Sequence, residues 1–320
     1  MGIVKKSVKK LFLCLLLFLM VGPWGCAKRS PQQDTLKKYR KMMERQKTAM
    51  AREEEEASKK VPEMTAAGHE RLGDQHLSRG NLDMAFLQYD KALRLEPNQV
   101  RLRYKMGRLF LEKGLPEEAK KEFEEVLKDN PSYALAYEGL GRAYFNTGAF
   151  NDAEKSFHKA VQLDSNLWQA YNFMGIIYDR QNQFEEAVAQ YKTAISLQPN
   201  MPSLYNNLGM SLFLKGDYDK AIKAFIEGLR IEKSDKKIYN NLALALYKME
   251  RYQEALEAFK KGGDEASAYY NLGCLYLMEE KYNDAIGAFE KAIDLKPGFY
   301  IKAYENLKKA RQETNKTQKK

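Results

Sequence analysis

The sequence predicts an all-α protein built as a solenoid of stacked helical hairpins, and three observations carry that expectation. "YNNLG" at 205–209 returns as "YNNLA" at 239–243, an interval of 34 residues. Small residues recur at matching places over most of the chain, and glycine or proline separates apolar segments of helical period. A fixed period of a few tens of residues marks units that bury their apolar faces only against their neighbours.

Seven registers begin at residues 66, 100, 134, 168, 202, 236 and 266, each 34 after the last except for one interval of 30. The eighth place reads Gly73, Gly107, Gly141, Gly175, Gly209, Ala243 and Gly273. The twentieth is Ala85, Ala119, Ala153, Ala187, Ala221, Ala255 and Ala285, and the twenty-seventh is Ala92, Val126, Ala160, Ala194, Gly228, Gly262 and Ala292. A glycine inside a helix is destabilising by about 0.5–1 kcal/mol relative to alanine, so its repetition implies a return. The return expected is close approach of two antiparallel helices, small residue against small residue.

Large residues at the seventh place (Leu72, Leu140, Met174, Leu208, Leu242, Leu272) and the twenty-fourth (Tyr89, Phe123, Phe157, Tyr191, Phe225, Phe259, Phe289) fill the space that remains. Gly80, Gly114, Gly148 and Gly216 mark the turn within a hairpin, and Pro97, Pro131, Pro199 and Pro297 end the second helix. The sixth copy is four residues short and carries Gly262-Gly263, so its second helix should lose a turn. Tyr304, Leu307 and Ala310 at helical spacing predict a capping helix within 300–320, ending in a basic tail.

This pattern of Leu-Gly, Ala, aromatic, Ala and Pro over 66–299 resembles the tetratricopeptide repeat family. The resemblance implies a right-handed superhelix of about seven repeats (66–99, 100–133, 134–167, 168–201, 202–235, 236–265 and 266–299) that binds protein or peptide partners. It also implies that places 2, 5, 6, 9, 12 and 13 of each first helix line a concave groove. The early groove then shows Arg101, Tyr104, Arg108, Glu138, Arg142 and Phe145. The later one shows Asn172, Asn206, Asn207, Asn240, Asn241 and Asn271 among Ile176, Met210, Phe213, Leu244, Tyr247, Tyr270 and Leu277. An amide both donates and accepts, so an asparagine ladder suits the backbone of an extended peptide. The same asparagines can instead bond within the hairpin, and the arginines fit an acidic segment or a solvated face.

The N-terminus reads as an export signal. Lys5, Lys6, Lys9 and Lys10 precede an apolar run from Leu11 to Gly22, too short to span a bilayer, which needs roughly 20 residues. Gly25-Cys26-Ala27 resembles the lipobox of bacterial lipoproteins, which implies a signal at 1–25, lipidation of Cys26, and an outer-membrane lipoprotein of the cell envelope facing the periplasm. Pro23 and Trp24 depart from that motif, so an uncleaved signal anchor stays open as the alternative. Residues 26–65 are polar and charged, a partly helical tether.

The formal charge of +10 divides unevenly: +4 over 1–26, +4 over 27–65, −3 over 66–301 and +5 over 302–320. Basicity confined to the ends makes a poor footprint for a phosphate backbone, so a nucleic-acid-binding repeat protein is the lesser alternative. Three scattered histidines and three scattered cysteines offer no metal cluster or nucleophile pair. No glycine-rich phosphate loop is present, so neither an enzyme nor a cofactor is expected. The reading is a membrane-anchored scaffold or adaptor for partner proteins, in pilus, secretion or envelope assembly.

Overall fold

The computed structural model describes residues 41–48, 64–297 and 301–318. The apolar run, Cys26 and most of the 26–65 tether lie outside the described residues. Within the tether, 41–48 is helical, and Lys47 Nζ lies 3.7 Å from an Asp90 carboxylate oxygen.

Seven hairpins follow in chain order. They pair α1 (Ala66–Ser78) with α2 (Leu82–Leu95), α3 (Val100–Glu112) with α4 (Pro116–Asp129), and α5 (Ala134–Thr147) with α6 (Phe150–Leu163). Next come α7 (Trp168–Arg180) with α8 (Phe184–Leu197), α9 (Pro202–Lys215) with α10 (Tyr218–Ile231), and α11 (Lys236–Lys248) with α12 (Tyr252–Gly262). The last pair is α13 (Glu265–Met278) with α14 (Tyr282–Leu295), and α15 (Ile301–Gln318) closes the rod. Each helix packs on its neighbours in sequence, which makes an all-α superhelical solenoid.

Within a hairpin the eighth-place glycine does not meet another small residue, as the sequence suggested; it lies beneath the aromatic ring at the twenty-fourth place. A Cβ added to Gly73, Gly107, Gly141, Gly175, Gly209 or Gly273 would stand 2.4–2.7 Å from a ring carbon of Tyr89, Phe123, Phe157, Tyr191, Phe225 or Phe289 respectively. In these six hairpins the absent side chain leaves the room that the ring occupies. Those rings are fully or almost fully buried, each contributing about 1.5–3 kcal/mol by leaving water. The twentieth-place alanines are likewise withdrawn from solvent.

Small residues also serve the joint between repeats. A Cβ on Gly228 would lie 2.9 Å from Ile238 Cδ1, so the twenty-seventh place of one repeat seats the third place of the next. That third place is fully buried in Leu102, Ala136, Ala170, Leu204, Ile238 and Ala268. The first repeat has no predecessor among the hairpins. There the third and tenth places hold Gly68 and the exposed Gln75, a polar outer face.

The turn within a hairpin needs a left-handed residue. Gly80, Gly114, Gly148 and Gly216 supply it, and Asn182, Glu250 and Glu280 hold the same place in the other three copies with φ of 60°, 59° and 63°. The shortened copy behaves as expected: α12 has 11 residues where the other second helices have 14. In the cap one expectation is corrected. Tyr304 is 48% exposed, while Ala303, Leu307 and Ala310 are buried. Those three are the third, seventh and tenth places of a first helix counted from 301, so α15 acts as half of an eighth repeat.

Gly175→Leu should push Tyr191 out of its seat and destabilise the chain by about 1–3 kcal/mol. A thermal melt reads this, and an unchanged midpoint would contradict the ring-on-glycine packing.

Candidate functional site

First helices approach one another across repeats, α3 with α5, α5 with α7, α7 with α9 and α9 with α11, as α13 does with α15. They therefore line the tighter, inner side of the curve. The helix periodicity that buries places 3, 7 and 10 turns places 2, 5, 6, 9, 12 and 13 toward this groove or toward the seams between first helices.

At those seams, the fifth place of one repeat meets the sixth of the next. Lys105 Nζ lies 2.7 Å from Glu70 Oε1. Asn207 Nδ2 donates to Asn172 Oδ1 at 2.9 Å, and Asn241 Nδ2 donates to Asn206 Oδ1 at 2.7 Å. Asn306, the sixth place of α15, donates to Tyr270 Oη at 3.3 Å. Much of the amide ladder that the sequence offered to a peptide is thus spent holding neighbouring repeats together.

Asn206, Asn241, Tyr247 and Tyr270 are buried and belong to the framework rather than to the open groove, a correction whose cause is this close approach. Tyr247 Oη donates to Glu279 Oε2 at 3.0 Å, and its ring packs against Tyr252 and Tyr276. Asn172, Asn207, Asn240 and Asn271 remain half-buried, with Asn240 Nδ2 donating weakly to Gly262 O at 3.5 Å. Each amide pair uses a donor of one residue and an acceptor of the other, which leaves the remaining donors and acceptors for a partner. Beside them, Ile176, Met210 and Leu277 are half-buried, while Phe213 and Leu244 are buried.

The structure also separates the three arginines. Arg101 Nη2 donates to Glu70 Oε2 at 2.6 Å, so it is already engaged. Arg108 is exposed and Arg142 half-buried, and neither makes a hydrogen bond or ion pair among the described residues. Close to both is Glu138, only 6% exposed. Burial pushes its carboxyl above the usual range, against the opposing pull of Arg142 and Arg108.

Asp179 went unremarked in the sequence. It occupies the twelfth place, where the other copies have Leu77, Leu111, Phe145, Phe213, Tyr247 and Leu277. One charge in an otherwise apolar column was the signal available. Tyr191 Oη donates to Asp179 Oδ2 at 2.8 Å, while Oδ1 is enclosed without a well-formed hydrogen bond. Burial raises this carboxyl to about 6, partly offset by the Ser211 and Tyr191 hydroxyls. Among the described residues there is no grouping of three or more His, Cys, Asp or Glu able to hold a metal.

Hairpins of this length, seated ring on glycine and stacked into a curved rod with an inner groove, define a protein-binding scaffold of the tetratricopeptide type. More particularly, the chain belongs to the tetratricopeptide family described as "Cilia and flagella-associated protein 70 C-terminal domain", whose model matches residues 30–268. Residues 266–299 match the model described as "Tetratricopeptide repeat".

Among solved structures, the chain is similar to the C-terminal part of a TPR repeat-containing protein from Cytophaga hutchinsonii. That likeness has a TM-score of 0.57 and 19% identity, covering 74% of this chain and 98% of the other. It is also similar to a chain of the APC/C hetero-tetramer Cut9-Hcn1, with a TM-score of 0.54, 22% identity, and coverage of 77% of this chain and 48% of that one. Both likenesses show the fold. MamA is 28% identical over 54% of this chain and 94% of its own, with a TM-score of 0.45. No curated protein matches the chain.

Asn241→Ala leaves Asn206 without its donor in a buried seam and should lower unfolding free energy by about 1–3 kcal/mol in urea titrations. A loss of partner binding with unchanged stability would contradict the seam role.

Asp179 gives a pH signature of the opposite sign to most carboxylates. Its folded pKa of about 6 lies above the unfolded 3.8, so its neutral form favours folding, and that contribution is lost as pH rises through this window. Asp179→Asn should raise stability at neutral pH by about 1–2 kcal/mol and flatten the dependence between about pH 4 and 6. Chemical denaturation across that range checks it, and parallel curves for the two proteins would refute it.

Proposed function

We propose that this chain is a lipid-anchored scaffold of the bacterial cell envelope that holds partner proteins as extended peptides in the groove of its first helices. The observation that carries the binding part is the mixed inner surface. Half-buried amides at Asn172, Asn207, Asn240 and Asn271 alternate there with the apolar Ile176, Met210 and Leu277, an arrangement fitted to a backbone and its side chains.

The anchored part rests on the sequence: a basic start, a short apolar run and Cys26 at its end, then a charged tether that gives reach. The residue after the cysteine, Ala27, supports an outer-membrane rather than an inner-membrane address. An uncleaved anchor would give the same disposition with a longer mature chain. No described helix is long and apolar enough to cross a membrane.

A photo-cross-linking residue placed at Met210 in the full chain, expressed in cells and followed by membrane fractionation, tests both parts. The expected result is membrane-bound protein with an acylated Cys26, released by Cys26→Ser, and adducts to other polypeptides from Met210. The same probe at Ile226, which is 40% exposed on α10, should give few adducts. Equal labelling from both positions would refute the groove. An unmodified Cys26 would refute the lipid anchor.

A further inference from the structure

The closing end of the rod exposes apolar side chains that the repeat packing does not use. Leu295, the last residue of α14, is 40% exposed, and Ile301 and Tyr304, at the start of α15, are 73% and 48% exposed. Tyr304 Oη reaches back to Pro297 O at 3.5 Å, which sets its ring at the corner between the two helices. The core-facing side of α15 is already satisfied by Ala303, Leu307 and Ala310, so these three residues point elsewhere.

The same corner is basic. Lys308 follows Tyr304 by four positions and Ile301 by seven, which places it on their face of the helix, and Lys302 and Lys309 flank that face one turn apart from each other twice over. All three lysines are exposed and make no hydrogen bond or ion pair among the described residues, whereas Arg311 is held by Glu290 and Lys316 by Glu313. Glu305 is the acidic residue among them, and residues 302–320 together carry +5.

We propose that this corner is a second membrane contact, in which Leu295, Ile301 and Tyr304 enter the headgroup layer of an anionic bilayer while Lys302, Lys308 and Lys309 hold lipid phosphates. Apolar side chains ringed by lysines suit an interface that is apolar beneath and negatively charged above. A nucleic acid would match the lysines and leave Ile301 in water. A second copy packed about a two-fold axis would bring the same lysines against one another. Three apolar side chains bind weakly alone, but a chain already tethered meets the bilayer at high effective concentration. With −3 over 66–301 and positive charge on either side of it, the rod then lies along the membrane, held at both ends. The proposal rests on the anchored reading above, which brings a bilayer within reach, and adds where the far end of the rod sits.

The test uses the full chain with a photo-cross-linking residue at Ile301, reconstituted into vesicles of phosphatidylcholine alone or mixed with phosphatidylglycerol, and reads lipid adducts by mass spectrometry. Adducts should form in the mixed vesicles and fall in phosphatidylcholine alone and at high salt. Lys302→Gln with Lys308→Gln and Lys309→Gln should lower their yield about tenfold or more. The charge-matched variant Lys223→Gln with Lys236→Gln and Lys237→Gln, on α10 and α11, should leave it unchanged. Circular dichroism on both triple variants separates loss of contact from loss of fold.

An Ile301 probe that labels no lipid, or equal yields from the two folded triple variants, overturns the contact. So do adducts joining two copies of the chain or, in cells, adducts to other polypeptides in place of lipid. The anchor is read separately, by acylation of Cys26. Lipid adducts at Ile301 with an unmodified Cys26 leave the corner standing and remove the lipid anchor, and an acylated Cys26 without adducts does the reverse.

Discussion

The architecture depends on an aromatic ring lying flat against a helix that has no side chain to obstruct it. Gly209 beneath Phe225 shows the constraint at its tightest, where an added Cβ would come within 2.4 Å of the ring. The glycine lowers the intrinsic stability of its own helix by up to about 1 kcal/mol, and the ring it admits more than offsets this by leaving water. The exchange is made in six of the seven hairpins. The short α12 sits in the copy where alanine replaces that glycine.

On this uniform frame the seams between first helices are where the copies differ. One is closed by an ion pair, two by amide pairs, and one by an asparagine on a phenol in the cap. Such polar pairs do little for the core but fix how neighbouring repeats register, since a mismatched partner leaves a buried group unsatisfied. Between the third and fourth repeats the sixth place is Phe173, and aromatic packing on Phe157 and Phe145 takes the place of a polar pair.

Asp179 illustrates the other kind of departure. Its copies at the twelfth place are apolar, so its charge is stranded by the packing rather than recruited by a partner, and its hydrogen bond from Tyr191 compensates only in part. A buried carboxylate of raised pKa, met by two hydroxyls and no cation, lowers stability at neutral pH.

The repeat period, the helical hairpins and the short second helix of the sixth copy were legible in the sequence because each follows from local rules: helical spacing, turn glycine and small-residue recurrence. What lay against each glycine was not legible, since a recurring small residue announces close approach without saying what approaches. The split among the arginines, and the withdrawal of Asn206, Asn241, Tyr247 and Tyr270 into the frame, likewise escaped the sequence. Arg101 and Arg108 stand at neighbouring groove places of one helix, yet only the first has Glu70 within reach. Sequence by itself determined which residues face a seam or a groove, because periodicity within one helix sets direction. Only the stacking of one repeat on the next decided which of them were already satisfied, because every such bond joins residues some thirty positions apart.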